Sequence, residues 1–243
     1  VYKQRSFREL IHTYFGLRLP NLKIVVTGSG RVAHGVIEIM NLMEVVEVEP
    51  DEYMEKKFAY PVYTQIKGTD LYEHNMGKAY SREEFHLHPG NYRCKFLPYA
   101  FVSDILMNGV YWEKNVPRLF ERSDIQKENF RIQTIADIAD DTDGSVPINL
   151  GDQTIDEPVY GVDRKTFQKT APYMEGSIDM MAVGNLPNEL PRDASRYFGE
   201  QLIKYVLHDL LSGGSAMLDK ATIASNGNLT EYFRYLKNYA EGR

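Results

Sequence analysis

Apolar positions along this chain alternate between two spacings, and together they predict an alternating strand–helix order. Phe7, Leu10, Ile11, Tyr14 and Phe15 fall at helical spacing, so residues 1–19 read as a helix ending near Gly16. A short apolar strand follows at about 23–27, then a helix over about 30–42 carried by Val32, Val36, Ile37 and Met40. Val45 to Glu49, closed by Pro50, reads as a second strand, and Val62 to Ile66, closed by Gly68, as a third. Residues 82–99 look helical with an interruption at Pro89-Gly90. Ile105 to Val110, Ile132 to Ile138 and Ile178 to Val183 are further apolar strands, and 139–175 is turn-rich. From Pro191 a long helix runs to about Leu211, with Ala194, Phe198, Leu202, Tyr205 and Val206 on one face. Gly213-Gly214 breaks it, and shorter helices are expected over 216–224 and 230–240. Continuous apolar strands separated by helices predict an α/β fold with a parallel sheet, flanked by helices at both ends.

The connection after the first strand carries the main chemical signal. Thr27-Gly28-Ser29-Gly30-Arg31-Val32-Ala33 stands between an apolar strand and an amphipathic helix. Gly28 permits the tight turn, Gly30 lets backbone approach a pyrophosphate, and Ala33 is small enough for close helix–strand packing. The free N–H groups and the helix dipole attract the anion. This predicts a Rossmann-like dinucleotide-binding domain over residues 21–185. Residues 1–20 and 186–243 flank it as helices expected to pack together as part of a second lobe. Glu49 lies nineteen residues after Gly30, close to the ~20 expected for a carboxylate on the adenosine ribose. That role points to NAD, with Glu47 as the alternative acid. Arg31, inside the turn, is placed to stack on adenine or pair with a phosphate oxygen, although a surface arginine is the plainer reading.

Other constellations are weaker. His86 and His88 form an HxH, but no third histidine or cysteine stands at ligand spacing, and no metal is expected. Asp140-Asp141-Thr142-Asp143-Gly144 lacks the distal glutamate of a calcium loop and reads as an acidic turn after a strand. Arg118 and Arg192 are candidate carboxylate clamps, with structural ion pairs the alternative. No Lys/His acid–base pair is evident.

Charge and composition narrow the partners. With 28 Lys and Arg against 34 Asp and Glu, a net charge of −6 argues against nucleic acid or a membrane surface, and a small-molecule substrate is expected. Cys94 is the single cysteine, which fits a reducing compartment, and a cytoplasmic location is expected. No apolar run approaches the ~20 residues that cross a bilayer. The chain opens at Val1 without an initiator Met, so a fragment is expected. Nothing in the pattern fixes an oligomeric state.

Longer strings carry a family resemblance. Phe85-x-x-His88-Pro89-x-x-Tyr92 leads into Phe96-x-Pro98-Tyr99, Met107-Asn108-Gly109-Val110-Tyr111-Trp112-Glu113 and Pro117-Arg118-Leu119. Then come Asp137-Ile138-Ala139-Asp140-Asp141, Asn185-Leu186-Pro187-Asn188-Glu189-Leu190-Pro191-Arg192-Asp193-Ala194, Phe198-Gly199 and Ala221-Thr222-Ile223-Ala224-Ser225-Asn226-Gly227-x-Leu229. In this order, from about residue 20 to 240, the chain resembles the lysine–ketoglutarate reductase domain of the bifunctional lysine-degrading enzyme. It is similar, more loosely, to fungal lysine-forming saccharopine dehydrogenase.

The resemblance implies an NAD(P)-dependent interconversion of saccharopine with lysine and 2-oxoglutarate, on two Rossmann-like lobes related to alanine dehydrogenase and transhydrogenase. It places cofactor contacts at Gly30, Arg31, Glu49, Tyr111 and Ile138, beside Gly28 of the turn. It also puts Val183, Gly184, Asn185 and Leu186 along the cleft between cofactor and substrate, with Ala139 and Asn185 toward the substrate. The acid–base pair belongs, by the same resemblance, to an amino-terminal segment absent from this chain. Two positions depart from the family: Ala139 stands where Ser is usual, and Gly184 where Asp is usual. These departures keep a paralogous amino-acid or imine dehydrogenase open, and the absent acid–base pair keeps a non-catalytic nucleotide-binding module open.

Overall fold

The computed structural model describes residues 1, 3–14 and 16–242, so Phe15 of the first predicted helix lies outside the described residues. The chain forms two compact units, Val1–Glu189 and Leu190–Arg243.

The first unit runs α1 (Phe7–Tyr14), β1 (Lys23–Thr27), α2 (Arg31–Leu42), β2 (Val46–Glu47), α3 (Pro50–Glu55), β3 (Val62–Ile66) and β4 (Tyr72–His74). It continues through α4 (Arg82–Leu87), β5 (Tyr92–Cys94), α5 (Leu97–Ala100), β6 (Ile105–Asn108), β7 (Thr134–Asp137), β8 (Val159–Asp163), β9 (Lys169–Thr170) and β10 (Ser177–Met181). Eight strands make one sheet in the order β2-β3-β1-β6-β7-β10-β8-β9. The first six in that order are parallel, and β8 and β9 extend the edge antiparallel. The predicted α/β class with a parallel sheet is observed.

Alternation along β1 explains the layering, because successive strand residues face opposite sides. Ile24 and Val26 pack with Ala33, Val36 and Met40 of α2 on one face. Val25 joins the larger core with Val62, Ile66, Leu106, Ile135, Tyr160 and Met180 on the other. The buried positions of α2 are Ala33, Val36 and Met40, whereas Val32, counted by spacing on the apolar face, is 40% exposed.

Three expectations are corrected. The second strand shrinks to Val46–Glu47 and is the outermost strand, separated from β1 by β3. The helical reading of 82–99 holds only for Arg82–Leu87 and Leu97–Ala100. Between them β5 pairs antiparallel with β4, because Pro89 stops the first helix and Tyr92 is drawn into a buried aromatic group with Phe85 and Tyr72. The turn-rich 139–175 contains β8 and β9. Gly161 lies in β8, where an added Cβ would sit 2.5 Å from the Ala171 carbonyl oxygen, so glycine serves a close strand approach.

In the second unit, α6 (Pro191–Leu202), a π-helical turn (Ile203–Leu207) and α7 (His208–Leu211) form one long helical run. It is followed by α8 (Ala216–Ala221), a short hairpin of β11 (Ala224–Ser225) with β12 (Asn228–Leu229), a 3-10 stretch (Glu231–Leu236) and α9 (Lys237–Ala240). No residue from 190 to 242 is buried, and Phe198, Tyr205 and Leu211 stay exposed. Among the described residues, no helix is long and apolar enough to cross a membrane.

Candidate functional site

Strand order decides where a ligand can sit. The chain leaves β1 toward β3 on one side and reaches β6 on the other, so the sheet's topological switch lies between β1 and β6. In open α/β sheets ligands bind outside the carboxyl ends of the strands at that point. A cavity of about 660 Å³ occupies this place. Its floor is the residues that follow four strand ends: Gly28 to Val32 after β1, Lys67 and Gly68 after β3, Gly109 to Tyr111 after β6, and Ile138, Ala139 and Asp141 after β7. The facing wall comes from the β4–α4 region, with Tyr72, Tyr80, Arg82, Phe85 and His86.

The glycine turn is built by close packing. Gly28 has a positive φ of 102°, and a Cβ there would lie 2.7 Å from the Gly109 carbonyl oxygen, so only glycine fits. Gly109 is pinned in turn: its Cβ would stand 3.1 Å from Ala33 N, Thr27 O and Val32 Cγ1. Ala33 is fully buried, as the spacing predicts. The Gly28 N–H donates to the Ile66 carbonyl at 3.1 Å, and Gln65 Nε2 donates to the Gly28 carbonyl at 2.8 Å. Gly30 caps α2 without a side-chain hydrogen bond, and a Cβ on it would meet no atom within 4 Å. The first N–H groups of a helix have no intrahelical partner, so here they are left for an anion, with the positive end of the helix dipole behind them. These features fit a dinucleotide pyrophosphate: a turn only glycine can make, space in front of Gly30, and an uncapped helix start at the switch point.

Beneath the cavity lies a buried polar network. Thr27 Oγ1 donates to Asn108 Oδ1 at 2.7 Å, and Asn108 Nδ2 donates to Asp137 Oδ1 at 2.7 Å and Ser145 Oγ at 2.8 Å. Asn149 Nδ2 donates to Asp137 Oδ2 at 2.9 Å and to Asp140 Oδ1 at 3.3 Å. Burial raises the Asp137 carboxyl above the usual carboxylate range, against the pull of its two asparagine donors. Asp140, in a left-handed conformation with φ 55°, is pushed up to about 6, first by burial and then by the neighbouring Asp152 carboxylate. A Cβ placed on Gly184 would collide with the Asp152 carboxylate, so that group already fills the space beside Gly184.

The residues singled out from sequence separate into groups. Gly28, Gly30, Arg31, Tyr111, Ile138 and Ala139 all line the cavity. Tyr111 is 74% exposed there, its hydroxyl donating to Glu113 at 2.7 Å. Val183, Gly184, Asn185 and Leu186 follow β10 and are not among the lining residues, and Val183 is buried. Glu49 is exposed at the start of α3 and lies outside the cavity lining, while the Glu47 carboxylate accepts from the Tyr63 hydroxyl at 3.1 Å. Arg118 pairs with Asp143 at 3.0 Å. His86 sits on α4 and His88 ends it. Among the described residues no group of three or more His, Cys, Asp or Glu is arranged to hold a metal.

Sequence reasoning missed Lys67, Gly109, Arg82 and the Asn108–Asp137–Asn149 network. Gly109 stood in view inside the Asn-Gly-Val-Tyr-Trp string. Lys67 carried no signal, because its position follows from strand order alone.

Comparison with known proteins places this geometry in context. No family model matches the chain. It is 32% identical over 257 residues to alpha-aminoadipic semialdehyde synthase, mitochondrial, from Mus musculus, covering 91% of this chain and 27% of that protein. To alpha-aminoadipic semialdehyde synthase of Arabidopsis thaliana it is 29% identical over 242 residues, covering 88% of this chain and 22% of the other. To lysine-forming saccharopine dehydrogenase [NAD(+)] of Candida albicans it is 27% identical over 108 residues, covering 43% of this chain and 26% of the other. Its homologues are enzymes of the saccharopine dehydrogenase type. The motifs quoted above resemble that same family. The chain spans about a quarter of the length of these relatives.

Proposed function

We propose that this chain is the nicotinamide-dinucleotide-binding part of an oxidoreductase that interconverts saccharopine with lysine and 2-oxoglutarate. The observation that carries the reading is the uncapped glycine turn opening on a 660 Å³ cavity at the switch point, in a chain whose homologues are saccharopine dehydrogenase-type enzymes. A bound nicotinamide would supply or accept the hydride for the C–N bond chemistry. The chain's own residues bind and orient it. The turn from Gly28 to Arg31 holds the pyrophosphate, Tyr111 and Ile138 flank the bound molecule, and Ala139 offers an apolar wall.

The departure at Gly184 is made good in this reading. Asp152 brings a carboxylate to the space a side chain at 184 would take, so the site keeps an acidic group for an amine-bearing substrate. Val183 to Leu186 then form the border toward substrate. The exposed apolar residues of 190–242, such as Phe198 and Leu211, fit helices completed by a further lobe of the protein. The single cysteine, Cys94, has its thiol pushed up to about 12 by burial. That fits a reducing compartment such as the cytoplasm; the mouse relative is mitochondrial by name.

Calorimetric titration of the 243-residue chain with NAD⁺ and NADP⁺ tests the core of the reading. Saturable binding of at least one, abolished by Gly28→Ala, is the expected result. Binding of neither overturns it.

A further inference from the structure

We propose that Asn226-Gly227, at the tip of the β11–β12 hairpin, is a site of spontaneous covalent modification, where the chain deamidates with water as the co-reactant.

The chemistry sets what such a site needs. The Gly227 backbone nitrogen attacks Asn226 Cγ, gives up its proton to solvent base and closes a succinimide ring. The Cγ–Nδ2 bond breaks, and that nitrogen leaves as ammonia. Water then opens the ring at either carbonyl carbon. Opening at Cγ leaves an ordinary aspartyl residue. Opening at the main-chain carbonyl leaves isoaspartyl, in which the chain runs through the former side chain. Nothing is oxidised or reduced. The step requires a side-chain amide free to swing, a backbone N–H without another partner, and no side chain on the following residue.

The chain holds two Asn-Gly pairs, Asn108-Gly109 and Asn226-Gly227, and the fold treats them oppositely. Asn108 is fully buried. Its Nδ2 donates to Asp137 and Ser145, its Oδ1 accepts from Thr27 Oγ1, and the Gly109 N–H donates to the Thr27 carbonyl at 3.1 Å. Amide and nucleophile are both taken. Asn226 and Gly227 are both exposed. Among the described residues, neither the Asn226 side chain nor the Gly227 N–H has a hydrogen-bond partner. A Cβ on Gly227 would meet no atom within 4 Å, so nothing crowds ring closure.

Opening the hairpin costs little. Asn226 and Gly227 hold positive φ of 51° and 79°, as two-residue hairpin connections favour, and ring closure requires leaving that turn. Two residue pairs hold the strands together, Ala224↔Leu229 and Ser225↔Asn228, and Ala224, Ser225 and Asn228 are exposed. A hairpin this short is marginal by itself and opens locally. Either product adds a negative charge at the tip. The isoaspartyl form also lengthens the main chain by a carbon atom, which shifts the pairing that the turn had set.

The test is intact-mass measurement and peptide mapping of the 243-residue chain after incubation in mildly alkaline buffer, folded and in urea, beside Asn226→Gly. That variant removes the amide and keeps a residue suited to positive φ. The folded parent is expected to gain about 1 Da, in the peptide carrying Asn226 and split between aspartyl and isoaspartyl forms. Conversion there should run at least about tenfold faster than at Asn108, whose protection is that of the folded core. In urea the two pairs should convert at similar rates, and Asn226→Gly should show no early gain when folded. Absence of conversion at Asn226 in the folded chain overturns the inference, as does equal conversion of the two pairs there. A tenfold difference that persists in urea overturns it as well, because local sequence rather than the fold would then choose the site.

Discussion

Gln65 reaches from β3 to the backbone of the glycine turn, donating from Nε2 to the Gly28 carbonyl at 2.8 Å. With the Gly28 N–H bonded to Ile66 O, both polar groups of the turn's first glycine are tied to the same neighbouring strand. The turn is thereby held open before any ligand arrives, which lowers the ordering cost of binding. Gln65→Leu should cost about 1 kcal/mol of stability, the scale of one lost hydrogen bond. It should also weaken dinucleotide affinity severalfold. Urea unfolding and calorimetric titration of the same variant check the two effects; unchanged affinity would mean that the Gly28 N–H alone fixes the turn.

The two turn glycines predict opposite phenotypes. Gly28→Ala places a Cβ 2.7 Å from Gly109 O at a φ of 102°, so it should destabilise the fold by about 2 kcal/mol and abolish binding. Gly30 has a φ of −86° and no atom within 4 Å of an added Cβ, so Gly30→Ala should leave the melting temperature nearly unchanged. It should still lower dinucleotide affinity, because its methyl group occupies the approach to the helix N-terminus. A Gly30→Ala variant that binds normally would place the pyrophosphate elsewhere in the cavity.

How much of this was legible beforehand depends on whether the signal was local. The glycine turn, the buried Ala33 and the run of parallel strands follow from residues close in sequence, and they were read correctly. The antiparallel β8 was hidden because Gly161, a residue that usually marks a turn, lies inside a strand that must approach Ala171 closely. Lys67 was invisible for a different reason. Spacing from Gly30 singles out Glu49 only if consecutive strands are neighbours, and β3 inserts between β1 and β2. Asp152 was missed because its relation to Gly184 exists only after the chain has crossed from β7 to β10.

Asn108, at the end of β6, links the ends of β1 and β7 through Thr27 and Asp137, also donates to Ser145 of the following loop, and is fully buried. Asn108→Ala would leave the Asp137 carboxyl short of a donor and the Thr27 hydroxyl short of its acceptor. Each buried unsatisfied group costs about 1–3 kcal/mol, so a loss of about 2–4 kcal/mol is expected in chemical denaturation. Asn108→Asp should be worse at neutral pH and partly recover in acid, since it sets a second carboxyl against Asp137. A loss below 1 kcal/mol would mean that water takes over the vacated bonds.

Asp140 predicts a pH dependence whose sign is unusual for a carboxylate. Its folded pKa is raised to about 6 from 3.8, with Asp137 and Asp141 also raised, so the native state binds more protons than the unfolded chain between those values. Stability therefore declines as pH rises from about 4 toward 6, because the unfolded chain gives up its proton more readily. A salt-bridged aspartate would do the reverse. Asp140→Asn keeps the shape, tolerates the left-handed φ of 55° and can still accept from Asn149. It should flatten this slope and raise the melting temperature at pH 7 relative to the parent. Melting curves of both proteins from pH 4 to 7.5 give the comparison, since groups elsewhere contribute equally to each. Parallel curves would show that Asp140 ionises freely and that Asp152 does not oppose it.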